Sequence, residues 1–186
     1  MVPDEPRGAQ TGRSVLAVLG SARGDSHTRM LAEAAFAGRP VSWIDLATLD
    51  IQQYAYGEPM DRDDFARIAE AMVAHDTIVF VTPVYWYAMS GRMKVLFDRF
   101  TDLVTVRKDM GRRLEGRGVF LLACGADARL PEGFEIPFRE TAAYLDMTYH
   151  GAFYAPTRAT TLSSADLEDA AVFGNGIFAT APRTGL

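Results

Sequence analysis

The stretch Thr77-Ile78-Val79-Phe80-Val81, continued by Thr82-Pro83-Val84-Tyr85-Trp86-Tyr87-Ala88-Met89-Ser90-Gly91, decides the fold class. Its first five residues are apolar or β-branched without interruption, the pattern of a strand buried on both faces of a parallel sheet. Three aromatics then stand between that strand and the start of a helix, a place to stack a flat ring. Ligands of open parallel sheets bind outside the carboxyl ends of the strands.

Upstream, residues 14–19 form a short apolar run ending in Gly20, followed by a polar loop and a helix over 30–36. Residues 41–46 predict a second strand and 49–59 a long loop carrying Tyr54 and Tyr56. Asp61 or Asp63 caps a helix whose apolar positions Phe65, Ile68, Ala69, Met72 and Val73 recur on one face. Downstream, a helix over 91–102 leads through a basic loop (Arg107, Lys108, Arg112, Arg113, Arg117) to a fourth strand over 118–124. A βα turn at 125–128, a helix over 134–145, a fifth strand over 147–154 and a helix over 165–173, capped by Ser163 or Ser164, complete the chain. Strands alternating with helices predict an α/β three-layer fold with a five-stranded parallel sheet.

Composition bounds the rest. The 186 residues fit one domain, expected over 14–173 between an N-terminal tail (1–13) and a weakly ordered C-terminal tail (174–186). At 48% hydrophobic and 23% charged residues the chain has ordinary globular composition, and no apolar run reaches the roughly 20 residues of a membrane helix. A net charge of −5 argues against nucleic acid, and the basic cluster, interrupted by Asp109 and Glu115, reads as a solvated loop. The single cysteine, Cys124, allows no internal disulfide or thiolate cluster and reads as buried; the start lacks the apolar core of a signal peptide, so the expected location is cytoplasmic.

The first βα loop, Gly20-Ser21-Ala22-Arg23-Gly24-Asp25-Ser26-His27-Thr28, has neither the dinucleotide glycine spacing nor the Walker lysine. It does bring three hydroxyls, an arginine and a helix N-terminus together, which suits a phosphate. Taken alone, it is equally an ordinary βα turn with a Ser or Thr cap. Paired with an aromatic loop after the third strand, across the switch point of the strand order 2-1-3-4-5, it outlines FMN. The histidines His27, His75 and His150 are scattered without metal spacing, and no nucleophile elbow is present.

These two segments resemble those of the flavodoxin-like NAD(P)H-dependent FMN reductases and quinone reductases. The first is similar to that family's G-S-x-R-x-x-S-x-T/N phosphate signature. The second is similar to its P-x-Y-x-x-x-x-S/P-G-x-x-K-x-x-x-D-R segment, at Pro83, Tyr85, Ser90, Gly91, Lys94, Asp98 and Arg99. The resemblance implies that Ser21, Arg23, Ser26 and Thr28 hold the FMN phosphate, that Pro83, Val84, Tyr85 and Trp86 line the flavin ring partly through backbone groups, and that Gly125 and Ala126 meet its opposite edge. It implies hydride transfer from NADPH or NADH through FMN to a small-molecule acceptor such as a quinone or flavin by a ping-pong mechanism, no catalytic side chain, and a homodimer or homotetramer. Arg23, Arg107, Lys108 and Arg158 are candidates to choose between the two nicotinamide donors. The alternative is a flavodoxin-type electron carrier serving protein partners. Lys94 and Asp98, four residues apart on one helix, are explained by a surface ion pair.

Overall fold

The computed structural model describes residues 13–23, 26–157 and 161–179. In chain order the elements are β1 (Val15–Leu19), α1 (His27–Phe36), β2 (Ser42–Asp45), α2 (Phe65–Ala74), β3 (Thr77–Tyr85), β4 (Ala88–Met89), α3 (Gly91–Thr105), α4 (Lys108–Arg112), β5 (Gly118–Gly125), α5 (Ile136–Tyr144), β6 (Thr148–Pro156) and α6 (Ser164–Ala179). Five strands form a parallel sheet in the order β2-β1-β3-β5-β6, and the two-residue β4 pairs antiparallel with β3.

The alternation of side chains along the strands sorts the core into two layers. On one face, Leu16, Val18, Ile78, Phe80, Val119 and Leu121 meet Ile68, Met72, Met93, Leu96 and Phe138 from α2, α3 and α5. On the other, Ala17, Leu19, Val79, Val81, Phe120 and Leu122 meet Leu31, Ala35, Ala170 and Ile177 from α1 and α6. The close approach of those two helices needs Gly174, where a Cβ would lie 1.7 Å from the Ala35 carbonyl oxygen.

The strands start level but do not end level. Val15 pairs with Thr77, which pairs with Gly118, yet β1 stops at Leu19 opposite Val81 while β3 continues to Tyr85. Four further residues add roughly 13 Å. The resulting step above β1 is where the N-terminus of α1 opens.

The structure revises several expectations. The third strand does not give way to a loop at Thr82: β3 runs on and turns back as a hairpin. The basic segment after α3 is not all loop but holds α4, with Met110 and Gly111 buried. The last helix extends to Ala179, so residues 174–179 are not a tail. The segments 1–12 and 180–186 lie outside the described residues, as do Gly24, Asp25 and Arg158. Among the described residues no helix is long and apolar enough to cross a membrane, and no acidic, His or Cys cluster has metal-binding geometry.

Candidate functional site

The loop after β1 leads into α1 through Ser26, whose hydroxyl accepts from the Arg29 amide at 3.3 Å. An N-cap of this kind satisfies one of the four unpaired amides at a helix start, leaving those of His27 and Thr28 within the first turn. Ser21 is buried, its hydroxyl accepting from the Arg23 amide at 3.3 Å, while the Arg23 side chain is exposed. Among the described residues no carboxylate pairs with Arg23. Thr28, buried like Ser21 and Ser26, differs from them in its partner: its oxygen lies 3.2 Å from the Cys124 sulfur at the end of β5. Burial pushes the Cys124 thiol above its usual range, against the opposing pull of the Thr28 contact. This thiol is a packing group that ties α1 to β5.

After β3, Tyr85 pairs with Ala88 and Val84 with Met89, so Trp86 and Tyr87 alone form the connection. Both have positive φ, 50° and 64°. A two-residue hairpin with both central residues in the left-handed region is the type I′ arrangement that normally selects Asn-Gly. Holding bulky side chains there costs about 1–2 kcal/mol per residue. Burial does not repay the cost, because Tyr85 is 49%, Trp86 93% and Tyr87 68% exposed.

The hairpin stands on a rigid base. Pro83 is buried and Val84 half-buried, and the Ser90 amide donates to the Thr82 hydroxyl at 3.1 Å. The Ser90 hydroxyl donates to the Gly20 carbonyl at 2.5 Å and accepts from the Met93 amide at 3.2 Å, so one side chain caps α3 and ties it to the first loop. On the other side, a Cβ on Gly125 would come within 2.9 Å of the Val84 Cβ, which fixes how closely β5 and β3 end together. The Gly125 carbonyl accepts from both the amide (2.7 Å) and hydroxyl (3.0 Å) of Thr157; Ala126 is exposed. Tyr154 donates to the Asp127 carbonyl at 2.7 Å, and burial together with Asp127 and Cys124 pushes its phenol up to about 12.

The structure thus brings to the carboxyl ends of β1, β3 and β5 the segments that carry Ser21, Arg23, Ser26, Thr28, Pro83, Val84, Tyr85, Trp86, Gly125 and Ala126. The Ser90 tie and the strained hairpin had no sequence signal, since no Asn-Gly or Asp-Gly pair marks the turn. Tyr54 and Tyr56 pack edge to face on each other, 5.1 Å apart, in a loop fastened to Arg99 of α3. Arg99 lies eight residues below Gly91, roughly 12 Å along the helix from the site. Arg107 and Lys108 follow the far end of α3 and so lie away from the strand ends, and Arg107 pairs with Asp109 at 3.0 Å.

A parallel sheet with this strand order, a hydroxyl- and arginine-bearing helix start at the switch point and an aromatic hairpin beside it define a flavodoxin-like mononucleotide-binding α/β protein. The family model for NADPH-dependent FMN reductases matches residues 13–160, and the chain belongs to that family. It is therefore an NAD(P)H-dependent oxidoreductase that uses FMN. YwqN of Bacillus subtilis strain 168, described as an NAD(P)H-dependent FMN-containing oxidoreductase, is 26% identical over 148 residues, 74% of this chain and 81% of YwqN. Among solved structures, the Trp repressor binding protein of Bacillus subtilis superposes with a TM-score of 0.70 at 21% identity, covering 85% of this chain and 96% of its own. A WrbA-like flavodoxin from Agrobacterium tumefaciens gives 0.65 at 18% identity, covering 89% and 94%.

Proposed function

We propose that FMN lies across the carboxyl ends of β1, β3 and β5 and that the enzyme reduces a quinone, flavin or similar small acceptor at the expense of NAD(P)H by a ping-pong mechanism. The observation that carries this reading is the Ser90 tie, which fastens the helix-start loop to the base of the aromatic hairpin. The donor set suits the group: Arg23 and the hydroxyls of Ser21 and Ser26 flank the start of α1, where the amides of His27 and Thr28 are free of intrahelical partners, a combination suited to a phosphate dianion. Thr28 joins them through its amide, its hydroxyl being turned to Cys124. When bound, FMN supplies the hydride-accepting and hydride-donating chemistry.

The protein's own contribution is binding and electrostatics. Pro83, Val84, Tyr85 and Trp86 present main chain along one side of the step, and Gly125 and Ala126 bound the other. In a two-residue hairpin the amides of the central residues stay outside the ladder, so those of Trp86 and Tyr87 are available to developing negative charge on a ring. No side-chain acid or base is required.

We further assign the protein to the cytoplasm, where a chain whose one cysteine is buried and unpaired is at home. We also assign it a homodimer or homotetramer that closes through α3 and α5, between which Phe97, Phe100, Val104, Tyr144 and Leu145 line an open groove of about 480 Å³. Steady-state rates with NADPH and a quinone varied together test the mechanism: parallel double-reciprocal lines are expected, and lines that intersect contradict a shared site.

A further inference from the structure

We propose that the Trp86 and Tyr87 side chains form a shelf that selects fused-ring, planar, uncharged acceptors over single-ring ones; this rests on the FMN reading above. The two residues hold a backbone conformation that favours Asn-Gly, and their rings remain 93% and 68% exposed. Strain at a rigidly supported position is the mark of a functional constraint. The supports are the Thr82–Ser90 bond, the Ser90–Gly20 bond and the Val84–Gly125 contact below the tip.

The chemistry of the tip defines the ligand. From Thr82 to Ser90 the chain carries no formal charge, so recognition there depends on apolar area and ring stacking rather than on ion pairing. Indole and phenol faces stack best on partners of comparable planar extent. A naphthoquinone or the three-ring system of a free flavin spans such a surface, whereas a benzoquinone covers a fraction of it. The acceptor is thus sorted by ring number at the hairpin tip, outside the phosphate-binding loop.

The test compares Trp86→Ala, Trp86→Phe and the double variant Trp86→Asn/Tyr87→Gly with the parent protein. For each, the ratio of kcat/KM for 2-methyl-1,4-naphthoquinone to that for 1,4-benzoquinone is measured, with the FMN dissociation constant, the sedimentation coefficient and the Tm of the apoprotein. The expected result is a ratio at least tenfold lower in Trp86→Ala and in the double variant, and largely restored in Trp86→Phe. Relief of backbone strain is expected to raise the apoprotein Tm of the double variant by about 4 °C or more. A ratio unchanged within twofold overturns the proposal. So does a tenfold loss of FMN affinity at constant ratio, which assigns the indole to the cofactor, or a fall in sedimentation coefficient at constant ratio, which assigns the patch to a second copy of the chain. Parent protein that binds no FMN at all removes the function reading itself and the shelf with it. A Tm gain in the double variant would then show only that the turn is strained.

Discussion

The segment from Pro83 to Arg99 contains two regions that handle unfavourable energy in opposite ways. At its start, Trp86 and Tyr87 carry backbone strain and exposed apolar rings, held in place by the hairpin base without burial of either side chain to offset the cost. At its end, Arg99 carries a charge into the core, and nearly everything around it is arranged as compensation. Its Nε donates to Asp102 at 2.7 Å, its Nη1 to Asp63 and to the Gln52 carbonyl, and its Nη2 to the Met60 carbonyl, while the guanidinium lies 4.7 Å from the centre of the Phe65 ring. Burial depresses the Arg99 pKa, yet Asp102 and Asp63 together leave it raised. An uncompensated cost points outward to a ligand; a fully compensated one points inward to architecture.

The largest expected effect breaks the architectural half. Arg99→Met leaves the Asp63 and Asp102 carboxylates buried without their cation and should cost about 3–5 kcal/mol. Denaturant unfolding reads this directly, and a loss under 1 kcal/mol would show that the cluster is not compensated as described. The same cluster sets an acid limb. Although burial pushes the Asp63 carboxyl up, the Phe65 amide, Arg99 and the Gln52 amide hold it below its ordinary value. Its folded pKa therefore lies below the unfolded value of about 3.9, so its stabilisation is complete above that pH and is lost as pH falls through the folded value. Asp63→Asn should flatten this limb below about pH 4.

The next effect sharpens the functional half. Gly125→Ala puts a methyl against Val84 and should cost about 1–3 kcal/mol by pushing the hairpin base away from β5. FMN affinity should fall along with stability, and a titration showing unchanged affinity would separate the β5 turn from the site. Arg23→Ala should leave stability within about 0.5 kcal/mol, as an exposed side chain does, while weakening FMN binding about tenfold through a lost charge-assisted bond. The smallest effect belongs to Lys94, whose pair with Asp98 at 2.5 Å lies on the helix surface. Lys94→Ala should change stability by no more than about 0.5 kcal/mol, measured by denaturant midpoint.

How far the sequence reveals these two halves depends on whether a signal is local. The uninterrupted run from Ile78 to Val81 and the helical spacing of Phe65, Ile68 and Met72 state their burial outright, and the parallel sheet follows from alternation with helices, whereas the strand order is legible only through the family resemblance. The hydroxyl- and arginine-bearing start of α1 is legible because its residues are contiguous, from Gly20 to Thr28. The hairpin is not, because aromatic residues in a left-handed turn contradict local preference and are held there by Thr82, Ser90 and Gly125 from elsewhere in the fold. Arg99 is equally opaque: the buried partners that make its charge tolerable, Asp63 and the Gln52 and Met60 carbonyls, come from a loop some 40 residues away. The extent of α6 was hidden for a related reason, since Gly174 reads as a helix breaker until its contact with Ala35 is seen.

The most direct test of the central claim is an absorption spectrum of the protein after addition of FMN and desalting, followed by anaerobic addition of NADPH and then NADH. A retained flavin band that bleaches with nicotinamide nucleotide is predicted, its size halved or less in Arg23→Ala. A band that stays yellow with both nucleotides, or no retained band at all, would contradict the account.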